Sequence, residues 1–237
     1  MAKHYQRIML KLSGEALGKE GWLFDHDKID EVAAVLKQAV DMGVQLGIVI
    51  GGGNLWRGRL GGAAGMDAVT ADQMGMLGTV MNCLCMKDAL TRQGVPARVM
   101  TAFDMPRIAE TYRRDLAVEY MKKGEVVLFA GGLGHPFFTT DSAVALRAAE
   151  IAADAIFLAK NIDGVYSSDP RQDANAVLIK DLSYDEALKK DLKVMDQTAL
   201  LICRDQKVPF IRVFGLDCPD NILKVLSGDE MGSLVHP

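Results

Sequence analysis

Short apolar runs alternate with helix-patterned stretches along the whole chain, and this alternation limits the fold more than any other feature of the sequence. RIMLKLS, at residues 7–13, reads as a strand. Ile29, Val32, Leu36 and Ala39 then recur at helical spacing, and Gly43 supplies a stop. VQLGIVIG (44–51) is a second strand, apolar almost throughout, as in a sheet covered on both faces. A long helix is expected over 67–93, and ARVMTA (97–102) is a third strand. Ile108, Tyr112, Leu116 and Tyr120 mark a further helix that ends before Gly124. VVLFAGG (126–132) is a fourth strand, with the helix DSAVALRAAEIAA behind it, and AIFLAK (155–160) is a fifth. After an irregular stretch, 198–206 reads as helical, PFIRVF (209–214) as a strand and NILKVL (221–226) as a short closing helix. Repeated β-α-β order implies an α/β fold, a three-layer sandwich with a central, mainly parallel sheet and helices on both sides.

The 237 residues suffice for one large α/β domain, and no Pro/Ser-rich linker or internal repeat divides them. The expectation is a single domain, 1–237, with two lobes meeting near residue 150. Hydrophobic residues make up 49% and charged residues 24%, which argues for a packed core rather than disorder. A net charge of −4 argues against a general nucleic-acid binder, while leaving room for a local basic site for a small anion. Cys83, Cys85, Cys203 and Cys218 form no CxxC pair and no zinc spacing, so they read as reduced, mostly buried thiols. MAKHYQRIML has no signal-peptide core, and no apolar run approaches the roughly 20 residues needed to cross a bilayer. A cytoplasmic protein without membrane association is expected.

The helix over 67–93 is apolar on more than one side. Met74, Leu77, Met81 and Leu84 form one stripe, and Met76, Val80 and Cys83 form another. A helix apolar all round must be covered all round. Either the core wraps it, or the second stripe faces another subunit.

In open α/β sheets, ligands bind beyond the carboxyl ends of the strands. Three glycine-containing loops are expected there: KLSGEALGKEG, GGGNLWRG and GGLGHPFFTTDS. The dinucleotide fingerprint fails, because Trp56 stands where the sixth position from Gly51 needs glycine. A P-loop fails too, because Arg59-Leu60 follows Gly53 to Gly58 instead of Lys-Ser/Thr. Three glycine loops on one sheet edge still point to phosphate, since backbone N–H groups there donate without side-chain bulk. Lys11, directly before Ser13-Gly14, is a candidate for neutralising a transferring phosphoryl group; a solvated edge lysine is the plainer alternative. Arg57 suits a bidentate phosphate clamp or a surface salt bridge. Thr140 or Asp141 reads as a helix N-cap, and a helix N-terminus also attracts phosphate. An aspartate there can order a lysine or Mg²⁺.

Six segments, LKLSGE, VIGGGNLWRG, GMLGTVMN, GHPFFTTDSA, DGVYSSDP and LKVMD, together resemble the motifs of the bacterial UMP kinases, members of the amino-acid-kinase superfamily. The resemblance covers nearly the whole chain, and PFFTTD with LKVMD is its most specific part. It implies the amino-acid-kinase fold, with an acceptor (UMP) lobe over about 1–150 and an ATP lobe over about 151–237. The reaction implied is ATP-dependent, Mg²⁺-dependent phosphorylation of UMP to UDP in pyrimidine nucleotide biosynthesis.

Position by position, the resemblance places Lys11, Leu12, Ser13 and Gly14 at the ATP phosphates, and Gly53 and Arg57 on the same phosphate side. Lys160, Asn161, Tyr166 and Asp169 match the adenine and ribose pocket of ATP. Gly52 matches a UMP contact and Asp72 the carboxylate for the UMP ribose. Leu133, Gly134, His135, Pro136, Phe137, Phe138, Thr139 and Thr140 match the loop around UMP. Asp141 and Asp196, with Lys11 and Arg57, match the transfer site, where the carboxylates are expected to orient Lys11 and organise Mg²⁺. Mg²⁺ itself is expected on the nucleotide phosphates, with no direct protein ligand. A phosphate monoester acceptor has a second pKa of about 6 and needs no strong base. His135 accordingly reads as a loop hydrogen-bonder. Family members often carry Thr at Leu133 and Asn at His135, so any uracil contact at Leu133 comes from its backbone. The resemblance also implies a homohexamer and feedback inhibition by UTP at the UMP site. GTP activation stays open: GKEGWL (18–23) aligns with the loop tied to it, but Lys87 stands where some responsive members have Arg. Rival readings are a kinase of the same superfamily with a carboxylate or carbamate acceptor, and a non-catalytic nucleotide- or oxyanion-binding assembly.

Overall fold

β1 (Arg7–Leu12) is buried on both faces: Ile8, Met9, Leu10 and Leu12 are all inaccessible. Such a strand belongs in the middle of a sheet, and β1 pairs in parallel with β2 (Gln45–Ile50) on one side and β6 (Ala155–Lys160) on the other. The computed structural model describes residues 5–19, 22–56 and 65–237. Beyond β2 lie β5 (Val126–Ala130), β3 (Ala97–Thr101) and β4 (Glu110–Thr111). Beyond β6 lie β10 (Ile211–Gly215), β11 (Ser233–His236) and β9 (Asp181–Ser183). Among the described residues only the β10–β11 pair of this sheet is antiparallel. The expected α/β sandwich with a mainly parallel sheet is present.

Alternating residues of β1 feed two cores. Ile8, Leu10 and Leu12 face α1 (His26–Asp41), α2 (Ala68–Arg92) and α7 (Asn221–Leu226). Met9 faces α3 (Arg114–Lys122), α4 (Thr140–Glu150), α5 (Tyr184–Lys189) and α6 (Gln197–Asp205). Strand periodicity therefore puts Lys11 on the α4 side of the sheet, at its carboxyl edge. Cys83 and Cys203 are buried free thiols, and burial pushes both up to about 12.

Four expectations need correction. The helix read from Ile108 to Tyr120 starts only at Arg114, because residues 105–109 form a turn and β4 follows. Ile108 N–H donates to the Met105 carbonyl at 2.8 Å, and Tyr112 N–H donates to Thr101 at 2.8 Å. The helical spacing of Ile108 and Tyr112 spans a turn and a strand by coincidence. The stretch after β6 is more ordered than expected. It holds the hairpin β7 (Val165–Tyr166) and β8 (Leu178–Ile179), then β9, then α5 with a Ser183/Glu186 capping box. α7 is not the last element, because β11 follows it. In α2 the roles of the stripes are reversed. Val80 and Cys83 continue into the core with Met86, Ala89 and Leu90, and Met76 lines a cavity. Met74, Leu77 and Met81, of the other stripe, are 38–50% exposed.

Candidate active site

The loops after β1, β2 and β5 meet at the carboxyl edge, as the parallel sheet requires. Ser13 caps a short 3-10 turn (Gly14–Leu17), its hydroxyl accepting from Glu15 N–H. Gly14 has no room for a side chain: a Cβ there would come within 2.3 Å of the Gly51 carbonyl and of Asn54 Oδ1. At Gly52 a Cβ would meet the Gly75 carbonyl of α2 at 2.6 Å, so glycine there serves close helix–loop packing. At Gly53 a Cβ would meet nothing within 4 Å among the described residues, and the open space lies where the backbone was expected to approach a ligand. Arg57 lies outside the described residues.

Lys11 Nζ stands 3.1 Å from Asp141 Oδ1, with both side chains more than four-fifths buried. The pair is an ion contact, and among the described residues Oδ1 accepts no hydrogen bond. Asp141 Oδ2 accepts the Asp196 N–H at 3.3 Å. Asp196 caps α6 by accepting from Ala199 N–H at 2.8 Å through Oδ1. Its Oδ2 accepts from the hydroxyls of Thr139 and Ser142. Thr139 in turn caps α4, accepting from Asp141 and Ser142 N–H groups. A chain of contacts thus runs Thr139–Asp196–Asp141–Lys11. The hydroxyl of Thr139, read as part of the acceptor loop, is committed to this chain. Lys160 joins it from the next strand. Its ammonium is mostly buried and donates to the carbonyls of Val194 and Lys193. Desolvation pulls its pKa down to about 8; the Asp141 carboxylate opposes this shift and the Lys11 ammonium adds to it.

Beside this chain opens a cavity of about 390 Å³. It is lined by Gly52, Gly53, Asp72, Leu133, His135, Phe137, Phe138, Thr139 and Thr140. Gly134 and Pro136 belong to the same loop but do not line it. Asp72 Oδ2 accepts the N–H of Phe137 at 2.7 Å, which ties α2 to the loop. Phe137 takes φ +70°, a left-handed conformation that costs a non-glycine residue energy and that this bond helps to hold. The sequence reading missed Trp56, Ala71, Gly75, Met76, Thr79 and Gly132 as lining residues. Trp56 had a signal, an aromatic inside a glycine loop; its Nε1 donates to the Ala71 carbonyl at 2.8 Å.

On the other side of Lys11, the four residues read as an adenine and ribose pocket divide between two adjoining clefts. Lys160 and Asn161 line one of about 630 Å³; Tyr166 and Asp169 line one of about 380 Å³. Pro170 and Arg171 stand between, lining both. Asn161 Nδ2 donates to Glu15 Oε2 at 2.8 Å, joining the β6 and β1 loops. Tyr166 OH donates to Asp163 at 2.8 Å, and Asp169 accepts the Arg171 N–H in its own turn.

The model of the amino acid kinase family matches residues 6–214. The chain belongs to the amino acid kinase family. This member is similar to the UMP kinase from Bacillus anthracis, with 38% identity, a TM-score of 0.94, and 99% of this chain and 97% of that one covered. It is similar to the UMP kinase from Ureaplasma parvum at 35% identity and TM-score 0.91, over 98% and 99% of the two chains. The uridylate kinase from Archaeoglobus fulgidus matches at 27% identity and TM-score 0.71, over 96% and 99%. The family is one of kinases, so the fold is that of a phosphotransferase. No helix among the described residues is long and apolar enough to cross a membrane.

Proposed function

We propose that this amino acid kinase transfers the terminal phosphoryl group of ATP to UMP, giving UDP for pyrimidine nucleotide biosynthesis. The observation that carries the reading is the Lys11–Asp141 pair at the mouth of a cavity lined by Asp72 and the 133–140 loop. Its similarity to two UMP kinases over nearly the full chain supports the acceptor. UMP binds in the cavity, its ribose on Asp72 and its phosphate toward Gly53. ATP binds across Lys11–Gly14 with its base toward Asn161 and Tyr166. The acceptor lobe is then about 1–150 and the donor lobe about 151–237.

The attacking oxygen belongs to a phosphate already ionised near neutral pH, so the protein's task is alignment and charge neutralisation. Lys11 supplies the positive charge at the transferring group, and Asp141 holds its Nζ there. Arg57 and the glycine amides add donors. Mg²⁺ fits this donor set as an ion carried by the ATP phosphates, because Asp141 Oδ1 is buried and accepts no hydrogen bond among the described residues. Bound there, it would supply further neutralisation of phosphate charge, with Asp141 as a residue that would help to hold it. A homohexamer in the cytoplasm, inhibited by UTP at the UMP site, completes the reading. The exposed Met74, Leu77 and Met81 supply an apolar surface for the subunit contact.

ADP release measured with UMP, CMP, carbamate and N-acetylglutamate as acceptors tests this. UMP-dependent release is the expected result. Release with carbamate or N-acetylglutamate alone would assign a different acceptor, and none with any acceptor would favour a binding assembly.

A further inference from the structure

Helix α2 reaches the glycine loops through side chains that the transfer reading leaves without a role. Thr79 Oγ1 accepts the Gly131 N–H of the β5 loop at 2.8 Å. One turn later Asn82, fully buried, donates through Nδ2 to the Gly51 carbonyl at 2.7 Å and to Asn54 Oδ1 at 2.8 Å. Its Oδ1 accepts Asn54 Nδ2 at 3.2 Å, and Asn54 Nδ2 also donates to the Leu23 carbonyl at 3.1 Å. Backbone carbonyls only accept, so the Gly51 and Leu23 carbonyls fix which way both amides point. Gly14 of the β1 loop rests against the same pair, its missing Cβ position lying 2.3 Å from Asn54 Oδ1 and 3.0 Å from Asn82 Nδ2.

We propose that Asn82, paired with Asn54, is a positioning residue that sets the register of the β1 and β2 glycine loops against each other. Its catalytic consequence rests on the phosphotransfer reading above. Loops joined only through strand ends can slide by fractions of an ångström, whereas a closed amide pair anchored on two carbonyls cannot do so without losing buried hydrogen bonds. An apolar side chain of the same size would fill the space but hold no register. The β1 loop faces the donor phosphates and the β2 loop the acceptor, so register between them sets the distance over which the phosphoryl group moves. Neither asparagine needs to touch a nucleotide.

The test uses the full chain with Asn82→Ala, Asn54→Ala and the double substitution. Below the melting temperature, kcat should fall about 10- to 100-fold, the scale of an ångström misplacement. Both KM values should stay within about threefold, because each subsite survives alone. The double variant should be no slower than the worse single one, since the pair acts as a unit. Unchanged kcat per folded molecule, or two losses that multiply, overturns the proposal. Hydrogen exchange of peptides over 13–17 and 51–56 supplies an arm independent of activity. Faster exchange in both peptides on loss of either asparagine is expected; protection equal to that of the unsubstituted chain also overturns it. If the unsubstituted chain phosphorylates no acceptor, the functional reading fails and the exchange arm alone decides positioning. If Asn82→Ala does not fold, Asn54→Ala, at the less buried end, carries both arms.

Discussion

The ammonium of Lys160, the last residue of β6, is hydrogen-bonded to the carbonyl of Val194, two residues before Asp196. A lysine drawn into the protein in this way links β6 to the loop that supports Asp141 and Lys11.

That burial makes a pH prediction. The Lys160 pKa is lowered from 10.5 to about 8, so between these values the unfolded chain holds a proton that the folded chain has released. Stability therefore gains from Lys160 as pH rises from about 8 towards 10.5, and the cost of burying the ammonium is fully present below 8. Relative to Lys160→Met, the unsubstituted chain should gain up to about 1.4 kcal/mol per pH unit across that window. Chemical unfolding of both proteins at several pH values measures it; parallel curves would rule it out.

The Lys11–Asp141 pair predicts coupled losses. Lys11→Ala should fold normally yet lose about 10³-fold or more in kcat, the scale for removing a preorganised charge at a transition state. Asp141→Asn keeps the shape but frees the ammonium, so its kcat should fall by less. Adding it to Lys11→Ala should cost little further, because its role acts through Lys11. Steady-state rates of the three variants decide this, and near-normal turnover in well-folded Lys11→Ala would sink the mechanism.

Asp72 has two tasks that different substitutions separate. Asp72→Asn can still accept the Phe137 N–H through its amide oxygen but loses the charge offered to a ribose. It should raise the KM for UMP well above that for ATP. Asp72→Ala also releases Phe137 from its left-handed conformation and should lower kcat as well. Equal changes in both KM values for Asp72→Asn would remove the ribose assignment.

The two neighbouring glycines predict opposite phenotypes. A methyl group at Gly52 collides with the Gly75 carbonyl, so Gly52→Ala should destabilise the fold by about 1–3 kcal/mol. Among the described residues nothing crowds the same methyl group at Gly53, so Gly53→Ala should melt near the unsubstituted temperature while binding nucleotide less well. Thermal melts with and without nucleotide distinguish them. Similar melting temperatures for both variants would contradict the packing account.

The parts legible in the sequence were those where local pattern and tertiary fold agree. Alternating apolar runs disclosed the central strands, and a lysine before a glycine turn disclosed Lys11. Asp72 and Asp196 carry no such mark, because their places depend on a helix and a loop arriving from distant parts of the chain; only the family resemblance singled them out. Ile108 and Tyr112 misled for a related reason, since four-residue spacing does not tell a turn plus a strand from a helix. The two stripes of α2 are both apolar, so the pattern leaves their surroundings open, and only the packed sheet selects Val80 and Cys83 for the core. Asn82 carries no local mark either, because its role depends on the Gly51 carbonyl that its amide holds across the fold.

β11 lies between β10 and β9 although it is the latest of the three in the chain. During synthesis, β9 therefore has no neighbour in the sheet until about fifty residues more have emerged. Its one partner strand among the described residues also runs antiparallel to β10, so the sheet grows inward at this end rather than outward. The loop carrying Asp196 lies in the interval between β9 and β10 and must be placed before that closure. The phosphate-loop half of the molecule, built from β1, β2, β3 and β5, can assemble first. The half built around β9, β10 and β11 depends on pairings between residues far apart in the chain, which are slow to close.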